Sequence, residues 1–191
     1  MLYKKLPIKI TKIFIDLDDT LVDFVGEALI LLGYKNKVTT KQDLKKFWSF
    51  IDTEEGQKEL WLRVNKIGPQ WWVNLPMLPW AKDLLSAAKK ACKNVAILTS
   101  PGETITSETA ALGKILWSIK EFGENRLILA KQKYMCASPG TILIDDWEKF
   151  TKPWEEAGGT AIKLKREWNK TGYTHDEIID TLLKYSRLNP P

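Results

Sequence analysis

The sequence predicts an α/β fold, in which a parallel Rossmann-like sheet carries helices on both faces and a small helical cap is inserted. Short apolar runs of the length of buried strands recur along the chain, at residues 13–15, 94–98, 126–130, 141–144 and 160–164. Segments with apolar residues at helical spacing lie between most of these runs. Strands that alternate with helices pair in parallel through right-handed crossovers. These observations favour a doubly covered parallel sheet.

One long segment interrupts this alternation. Between the first two strands, residues 22–79 contain helical periodicity and aromatic residues but no strand pattern. Val25 and Leu29 are spaced for one helix, and Gly33 marks its end. We therefore expect a core of residues 1–21 and 80–191, with residues 22–79 as a cap over the carboxyl edge of the sheet.

Two later helices have clear sequence signals. Ile115, Leu116 and Ile119 share one face of a helix that Gly123 ends. Thr174 and Glu177 have the spacing of a capping box at the start of the final helix. Both signals predict helices that cover the sheet or the cap.

The composition is that of an ordinary globular protein. The 191 residues are 44% hydrophobic and 28% charged, and no apolar run approaches the ~20 residues of a membrane span. Cys92 and Cys136 lack metal or disulfide spacing, so we expect a reducing, cytoplasmic location without a leader or a membrane partner. The net charge is +5, but no stretch interleaves Lys and Arg with aromatic residues, which argues against stable nucleic-acid binding. A homodimer stays open as an alternative.

Polar side chains follow three of the predicted strands, where each strand ends. They are Asp16 and Asp18 after the first strand, Thr99 and Ser100 after the second, and Asp145 and Asp146 after the fourth, with Lys133 shortly before the last pair. Because the carboxyl ends of parallel strands share one edge of a sheet, these groups are expected to converge. Clustered carboxylates beside a core strand are costly unless a cation compensates them, and oxygen ligands suit Mg²⁺.

This set of residue types suits phosphoryl transfer. One carboxylate can attack phosphorus to form an aspartyl-phosphate, and a second can protonate the leaving oxygen and then activate water. A hydroxyl and an ammonium group can hold the phosphoryl oxygens, on which negative charge is concentrated. The sequence therefore predicts a magnesium-dependent phosphate site at this edge.

The same residues resemble a known superfamily. Asp16-Leu17-Asp18-Asp19-Thr20, then Thr99, Lys133 and Asp145-Asp146, in that order, are similar to the four motifs of the haloacid dehalogenase-like phosphatases. Within that superfamily the chain most resembles the 5'(3')-deoxyribonucleotidases. Three features carry this closer resemblance: Phe24, the segment Trp71-Trp72-Val73-Asn74-Leu75-Pro76-Met77-Leu78-Pro79, and Thr99-Ser100-Pro101.

The resemblance implies a magnesium-dependent enzyme that dephosphorylates nucleoside monophosphates. Asp16 would be the nucleophile and Asp18 the general acid and base. The residues that would hold Mg²⁺ are Asp16, Asp18 through its carbonyl, Asp146 directly, and Asp145 directly or through a partner. The residues that would bind phosphate are Thr99, Ser100 and Lys133, and those that would line a slot for base and sugar are Phe24, Trp71, Trp72, Val73 and Lys114.

Several alternatives stay open at this point. Lys131 rivals Lys133 as the phosphate lysine, and Trp71 and Trp72 could be packing residues of the cap. The substrate could instead be a sugar phosphate or the 3'-phosphate of a polynucleotide. A signalling receiver module also gathers aspartates, a hydroxyl and a lysine around Mg²⁺, but its acidic pair precedes its single phosphorylated aspartate. A homologue that binds nucleotides without turnover is the last alternative.

Overall fold

The computed structural model describes residues 2–34, 41–102, 107–123, 126–169 and 171–189. The named strands are β1 (Lys12–Ile15), β2 (Val95–Thr99), β3 (Leu127–Leu129), β4 (Thr141–Asp145) and β5 (Thr160–Lys163). The named α-helices are α1 (Phe24–Leu31), α2 (Lys41–Ile51), α3 (Glu54–Ile67), α4 (Pro69–Val73), α5 (Ala81–Ala91), α6 (Ser107–Phe122), α7 (Glu148–Glu156) and α8 (His175–Leu188). None of these helices is both long and apolar enough to cross a bilayer, as far as the described residues go.

The five strands form one sheet in the order β3-β2-β1-β4-β5. β1 pairs in parallel with both β2 and β4, and β4 pairs in parallel with β5. Ile15, the last residue of β1, lies opposite Ile97 of β2 and Ile144 of β4. The carboxyl ends of the central strands therefore reach the same edge, which confirms the predicted α/β fold with a parallel sheet.

One compact unit contains the sheet. It consists of the described residues of Met1–Val22, Met77–Ser100 and Ile128–Pro191. On one face of the sheet, Trp154 of α7 lies edge-on to Phe14 of β1, with ring centroids 5.4 Å apart. The predicted capping box is confirmed, because Thr174 and Glu177 exchange hydrogen bonds at the start of α8.

The second unit comprises the described residues of Asp23–Pro76 and Pro101–Leu127. Helices α1 to α4 fall within the segment expected to be helical, and no named strand interrupts them. The described residues of Pro101–Leu127 group with this helical unit as well. The helix α6 is thus part of the helical unit.

The buried face of α6 is not the face that carries Leu116 and Ile119. These two residues are exposed, while Gly113, Lys114 and Trp117 are buried. Gly113 allows α4 to come close, because a Cβ at this position would lie 2.4 Å from Cβ of Trp72. The packing of a bulky tryptophan against a glycine therefore decided the buried face, rather than the apolar periodicity alone.

Candidate active site

The loop after β1 positions the first group of acids. The chain turns sharply after Ile15, and the backbone N–H groups of Leu21 and Val22 both donate to the carbonyl of Leu17, at 2.9 and 3.0 Å. Asp19 takes a φ of +56°, a left-handed conformation that aspartate tolerates better than most residues. Because the backbone has left strand geometry, side chains two residues apart in this loop are no longer restricted to one strand face.

Three aspartates come together at the ends of β1 and β4. Oxygen atoms of the Asp16, Asp145 and Asp146 carboxylates all lie within 4.8 Å of one another. The backbone N–H of Asp16 donates to the carbonyl of Ile144 at 2.9 Å, so this convergence follows from the pairing of the two strands. The three residues are only 5%, 0% and 8% exposed, respectively. The predicted meeting of early and late aspartates is therefore observed.

A buried lysine joins two of these aspartates. Nζ of Lys133 donates to Oδ1 of Asp16 at 2.5 Å and to Oδ2 of Asp145 at 2.7 Å. The ammonium also lies 4.2 Å from the ring centroid of Phe150 in α7. Lys131, the rival candidate, is exposed. The geometry thus places Lys133 among the aspartates, where a short 3₁₀ turn over Lys133–Cys136 holds it.

Burial and mutual repulsion control the charge of this cluster. Burial raises the pKa of Asp145 to about 6, although the Lys133 ammonium opposes the change. Burial also raises the pKa of Asp146 well above its ordinary value, and the charges of Asp145 and Asp16 add to the effect. Burial alone would lower the pKa of Lys133, but the charges of Asp145 and Asp16 outweigh it and raise that pKa. One ammonium therefore faces three crowded carboxylates.

This donor set fits a magnesium ion. Three buried carboxylates with one bound lysine leave an excess of negative charge, which costs free energy unless a cation or protons balance it. Mg²⁺ binds through carboxylate oxygens and keeps several waters or substrate oxygens. Asp16, Asp145 and Asp146 could supply such ligands.

The other predicted residues of the core unit lie along the same edge of the sheet. Thr99 is the last residue of β2, the strand beside β1, and it is fully buried. Its carbonyl accepts a hydrogen bond from the backbone N–H of Ala130 at 2.9 Å, and Ser100 follows it, half-buried. Asp18 is half-buried, and its carboxylate is not one of the three clustered groups. The roles of these residues stay predictions.

The residues predicted to bind base and sugar form a packed cluster in the helical unit. Phe24 stacks on Trp72 with ring centroids 5.6 Å apart, and it meets Trp71 edge-on at 5.4 Å. Nζ of Lys114, a residue only 1% exposed, lies 4.8 Å from the Trp72 ring centroid. Val73 is half-buried. These contacts pack the aromatic side chains against one another, and the substrate slot stays a prediction.

The sequence prediction missed three residues near Asp146. Trp168 donates its indole N–H to Oδ2 of Asp146 at 3.1 Å. The amide of Asn169 donates to the carbonyl of Asp146 at 2.7 Å, and Arg166 lies beside Trp168. The sequence signal that could have found them is their position after β5, because that strand ends at the same edge.

No family model and no curated protein matches this sequence. Solved structures do match. A dehalogenase in an intermediate complex has a TM-score of 0.55 and 12% identity, with 88% of this chain and 90% of that chain covered. The putative HAD-hydrolase YfnB from Bacillus subtilis, bound to magnesium, has a TM-score of 0.53 and 14% identity, with 91% of this chain and 99% of that chain covered.

A third solved structure from the same superfamily also matches this chain. A HAD-superfamily hydrolase of subfamily IA, variant 1, from Geobacter sulfurreducens has a TM-score of 0.50 and 14% identity, covering 93% of this chain and all of that one. At such identities the likeness shows the fold alone, and the closeness to deoxyribonucleotidases stays a prediction. The chain therefore has the Rossmann-like fold of the HAD-superfamily hydrolases.

Proposed function

We propose that this chain is a magnesium-dependent phosphomonoester hydrolase of the 5'-nucleotidase type, which acts on ribo- or deoxyribonucleoside monophosphates through an aspartyl-phosphate. The observation that supports it most is the buried group of Asp16, Asp145 and Asp146 with Lys133 bridging the first two. A nucleophilic carboxylate, an excess of acidic ligands and a fixed ammonium are what attack on a phosphate requires. The order of the sequence motifs adds support.

In the proposed reaction, two steps take place on phosphorus. An oxygen of Asp16 attacks the phosphorus, the ester P–O bond breaks, and the leaving oxygen takes a proton from Asp18. The Asp18 carboxylate then removes a proton from water, the water oxygen attacks the same phosphorus, and the bond to Asp16 breaks. Inorganic phosphate leaves, and both aspartates return to their starting protonation states.

The remaining residues would bind and orient the reacting groups. Lys133 holds an Asp16 oxygen by a hydrogen bond, which restricts the carboxylate for attack. Since it also donates to Asp145, one of its three ammonium protons is left for a phosphoryl oxygen. Thr99 and Ser100 would bind further phosphoryl oxygens. When bound to Asp16, Asp145, Asp146 and the Asp18 carbonyl, Mg²⁺ supplies positive charge that offsets the repulsion between phosphate and carboxylates.

The nucleotide as substrate rests on the resemblance and on the aromatic composition of the helical unit. Phe24, Trp71 and Trp72 are aromatic residues of the kind that bind bases, although Trp71 and Trp72 are buried and all three pack on one another. A sugar phosphate would need polar groups for its hydroxyls instead. A polynucleotide 3'-phosphate would need an extended basic surface, which the sequence does not indicate.

A dehalogenase is a second candidate, because one structural match is a dehalogenase. There the nucleophile would attack carbon and release a halide, a reaction that needs no cation near the leaving group. In this chain two further carboxylates lie within 4.8 Å of the Asp16 oxygen. Such an excess of acidic groups suits a reaction that uses a bound cation, which phosphate transfer does and displacement of a halide does not, so the acid cluster favours a phosphate ester.

A panel of substrates tests the proposal. Phosphate release is measured from ribo- and deoxyribonucleoside 5'- and 3'-monophosphates, sugar phosphates and a 3'-phosphorylated oligonucleotide, each with Mg²⁺ and with EDTA. A haloacid with halide detection is included. We expect Mg²⁺-dependent release from nucleoside monophosphates, lost in Asp16→Asn and kept in Asp52→Asn, a matched change at an exposed residue.

Each other outcome contradicts a stated part of the proposal. Release only from sugar phosphates or from the oligonucleotide would reject the nucleotidase assignment but keep the phosphatase. Halide release would replace it with a dehalogenase. A long-lived phospho-aspartate after acetyl-phosphate treatment would favour a receiver, and nucleotide binding without turnover would favour a binding protein.

A further inference from the structure

The loop after β5 contacts the acid cluster at Asp146. Three residues of this loop take part: Arg166, Trp168 and Asn169. The loop itself is anchored to the sheet, because the N–H of Leu164 donates to the carbonyl of Asp145 at 2.9 Å. The N–H of Tyr173 donates to the carbonyl of Lys163 at 2.9 Å, and the N–H of Lys165 donates to the carbonyl of Tyr173 at 2.8 Å. The loop is thus held to β4 at its start and to the end of β5 at Tyr173.

Asn169 ties the loop to the backbone of the candidate metal ligand. Its Nδ2 donates to the carbonyl of Asp146 at 2.7 Å and to that of Leu164 at 2.9 Å. Its Oδ1 accepts from the N–H of Arg166 at 2.9 Å. One side chain therefore connects the turn of the loop, the end of β5 and the residue after β4.

Trp168 contacts the carboxylate of Asp146, the candidate metal-binding residue. Its indole N–H donates to Oδ2 of Asp146 at 3.1 Å. Because a carboxylate has about four lone-pair sites, this bond fixes one oxygen and leaves capacity for a cation. A neutral donor also restrains the carboxylate without adding the charge that would compete with a divalent ion.

The indole ring of Trp168 is itself contacted by the Arg166 guanidinium, which also contacts Trp80. The Arg166 guanidinium lies 4.7 Å from the Trp168 ring centroid and 4.9 Å from that of Trp80. Trp80 donates its indole N–H to the carbonyl of Thr20 at 3.1 Å, and Arg166 faces Asp19 at 3.8 Å. The loop after β5 is thereby connected to the loop after β1.

We propose that Trp168 and Asn169, supported by Arg166, position Asp146 for a divalent cation. This inference rests on the proposed function. Groups that orient metal-binding side chains commonly change metal affinity about 10–100-fold when they are removed. The residues act through Asp146 and are positioning residues, not catalytic ones. Of these residues, the sequence resemblance covers only Asp146.

The test compares Mg²⁺ affinity with fold stability. Trp168→Phe keeps an aromatic ring and removes the N–H donor. Trp117→Phe is the matched control, because that indole donates to the carbonyl of Leu75 at 3.2 Å within the helical unit. Melting temperatures are measured over a series of MgCl₂ concentrations at constant ionic strength, which gives a Kd for Mg²⁺ alone. Urea unfolding in EDTA gives the stability of each metal-free variant.

We expect the Mg²⁺ Kd of Trp168→Phe to rise by about 10-fold or more while that of Trp117→Phe stays within twofold of wild type. Asn169→Ser gives a second route to the same result should Trp168→Phe fail to fold. Equal Mg²⁺ affinity in wild type and the folded variants, with stability alone reduced, would overturn the positioning role and leave the proposed function intact. A wild-type chain that binds no Mg²⁺ would instead overturn the proposed function itself.

Discussion

Replacement of Lys133 by methionine tests the electrostatics of the candidate site most directly. The substitution keeps a long side chain but removes the ammonium that donates to Asp16 and Asp145. Removing one partner of a buried ion pair costs about 3–5 kcal/mol, because the other charge stays buried without compensation. We expect a loss of this size in the free energy of unfolding at pH 7.5 in EDTA.

The pH dependence of this loss gives a second, independent number. Without Lys133, Asp145 can relieve its burial by binding a proton, and in the unfolded chain its pKa returns towards 3.8. One pH unit changes the free energy of binding that proton by about 1.36 kcal/mol. From pH 7.5 to pH 5 the proton therefore binds more favourably by about 3 kcal/mol in the variant. In wild type, where Asp145 has a pKa of about 6, the same change adds only about 1.4 kcal/mol. We therefore expect the destabilisation to shrink by about 2 kcal/mol.

The assay is urea unfolding followed by tryptophan fluorescence, with Lys131→Met as the control. Lys131 is exposed two residues earlier, so its substitution is expected to change stability by no more than about 0.5 kcal/mol. Phosphate release by Lys133→Met is expected to fall about 10²–10³-fold, as for the loss of one group that stabilises developing charge. A loss of less than about 1 kcal/mol at both pH values would refute the electrostatic reasoning.

Two further predictions concern the metal-free protein and the helical unit. Burial and repulsion raise the pKa of Asp145 and Asp146 in the folded state. The folded state therefore binds more protons than the unfolded one. As a result, the two groups lower the free energy of unfolding as the pH rises from about 4 past 6. Because Mg²⁺ must displace those protons at low pH, it is expected to raise the melting temperature more at pH 7.5 than at pH 5, and the reverse order would contradict this reading. Gly113→Ala is expected to cost about 1–3 kcal/mol in urea unfolding, since the new Cβ would lie 2.6 Å from the carbonyl oxygen of Pro69, whereas Leu112→Ala on the exposed face of α6 serves as the control.

Much of the site could be read from local sequence because its residues lie where strands end. Asp16, Thr99 and Asp145 directly follow or end short apolar runs, and in a parallel sheet such ends share one edge. The choice of Lys133 over Lys131 could not be made in this way. Both residues precede β4, and the 3₁₀ turn and Phe150 decide which ammonium is buried.

Contacts between distant segments explain the remaining differences. Trp168 lies 22 residues from Asp146, and no periodicity relates its indole to that carboxylate. The buried face of α6 contains Gly113, which admits Trp72, a contact between helices far apart in the chain. Trp80 contacts Arg166, a residue 86 positions later in the chain. Packing of this kind depends on three-dimensional shape and has no local signature.

The amino-acid order alone determined the strand–helix alternation and the residue types gathered at one sheet edge, because hydrophobic period and strand polarity are local properties. Only the folded chain decided which lysine neutralises the acids, which loop holds Asp146 and which side of α6 faces inward. These outcomes depend on contacts between side chains that are far apart in the sequence. Burial strengthens the electrostatic contacts among them.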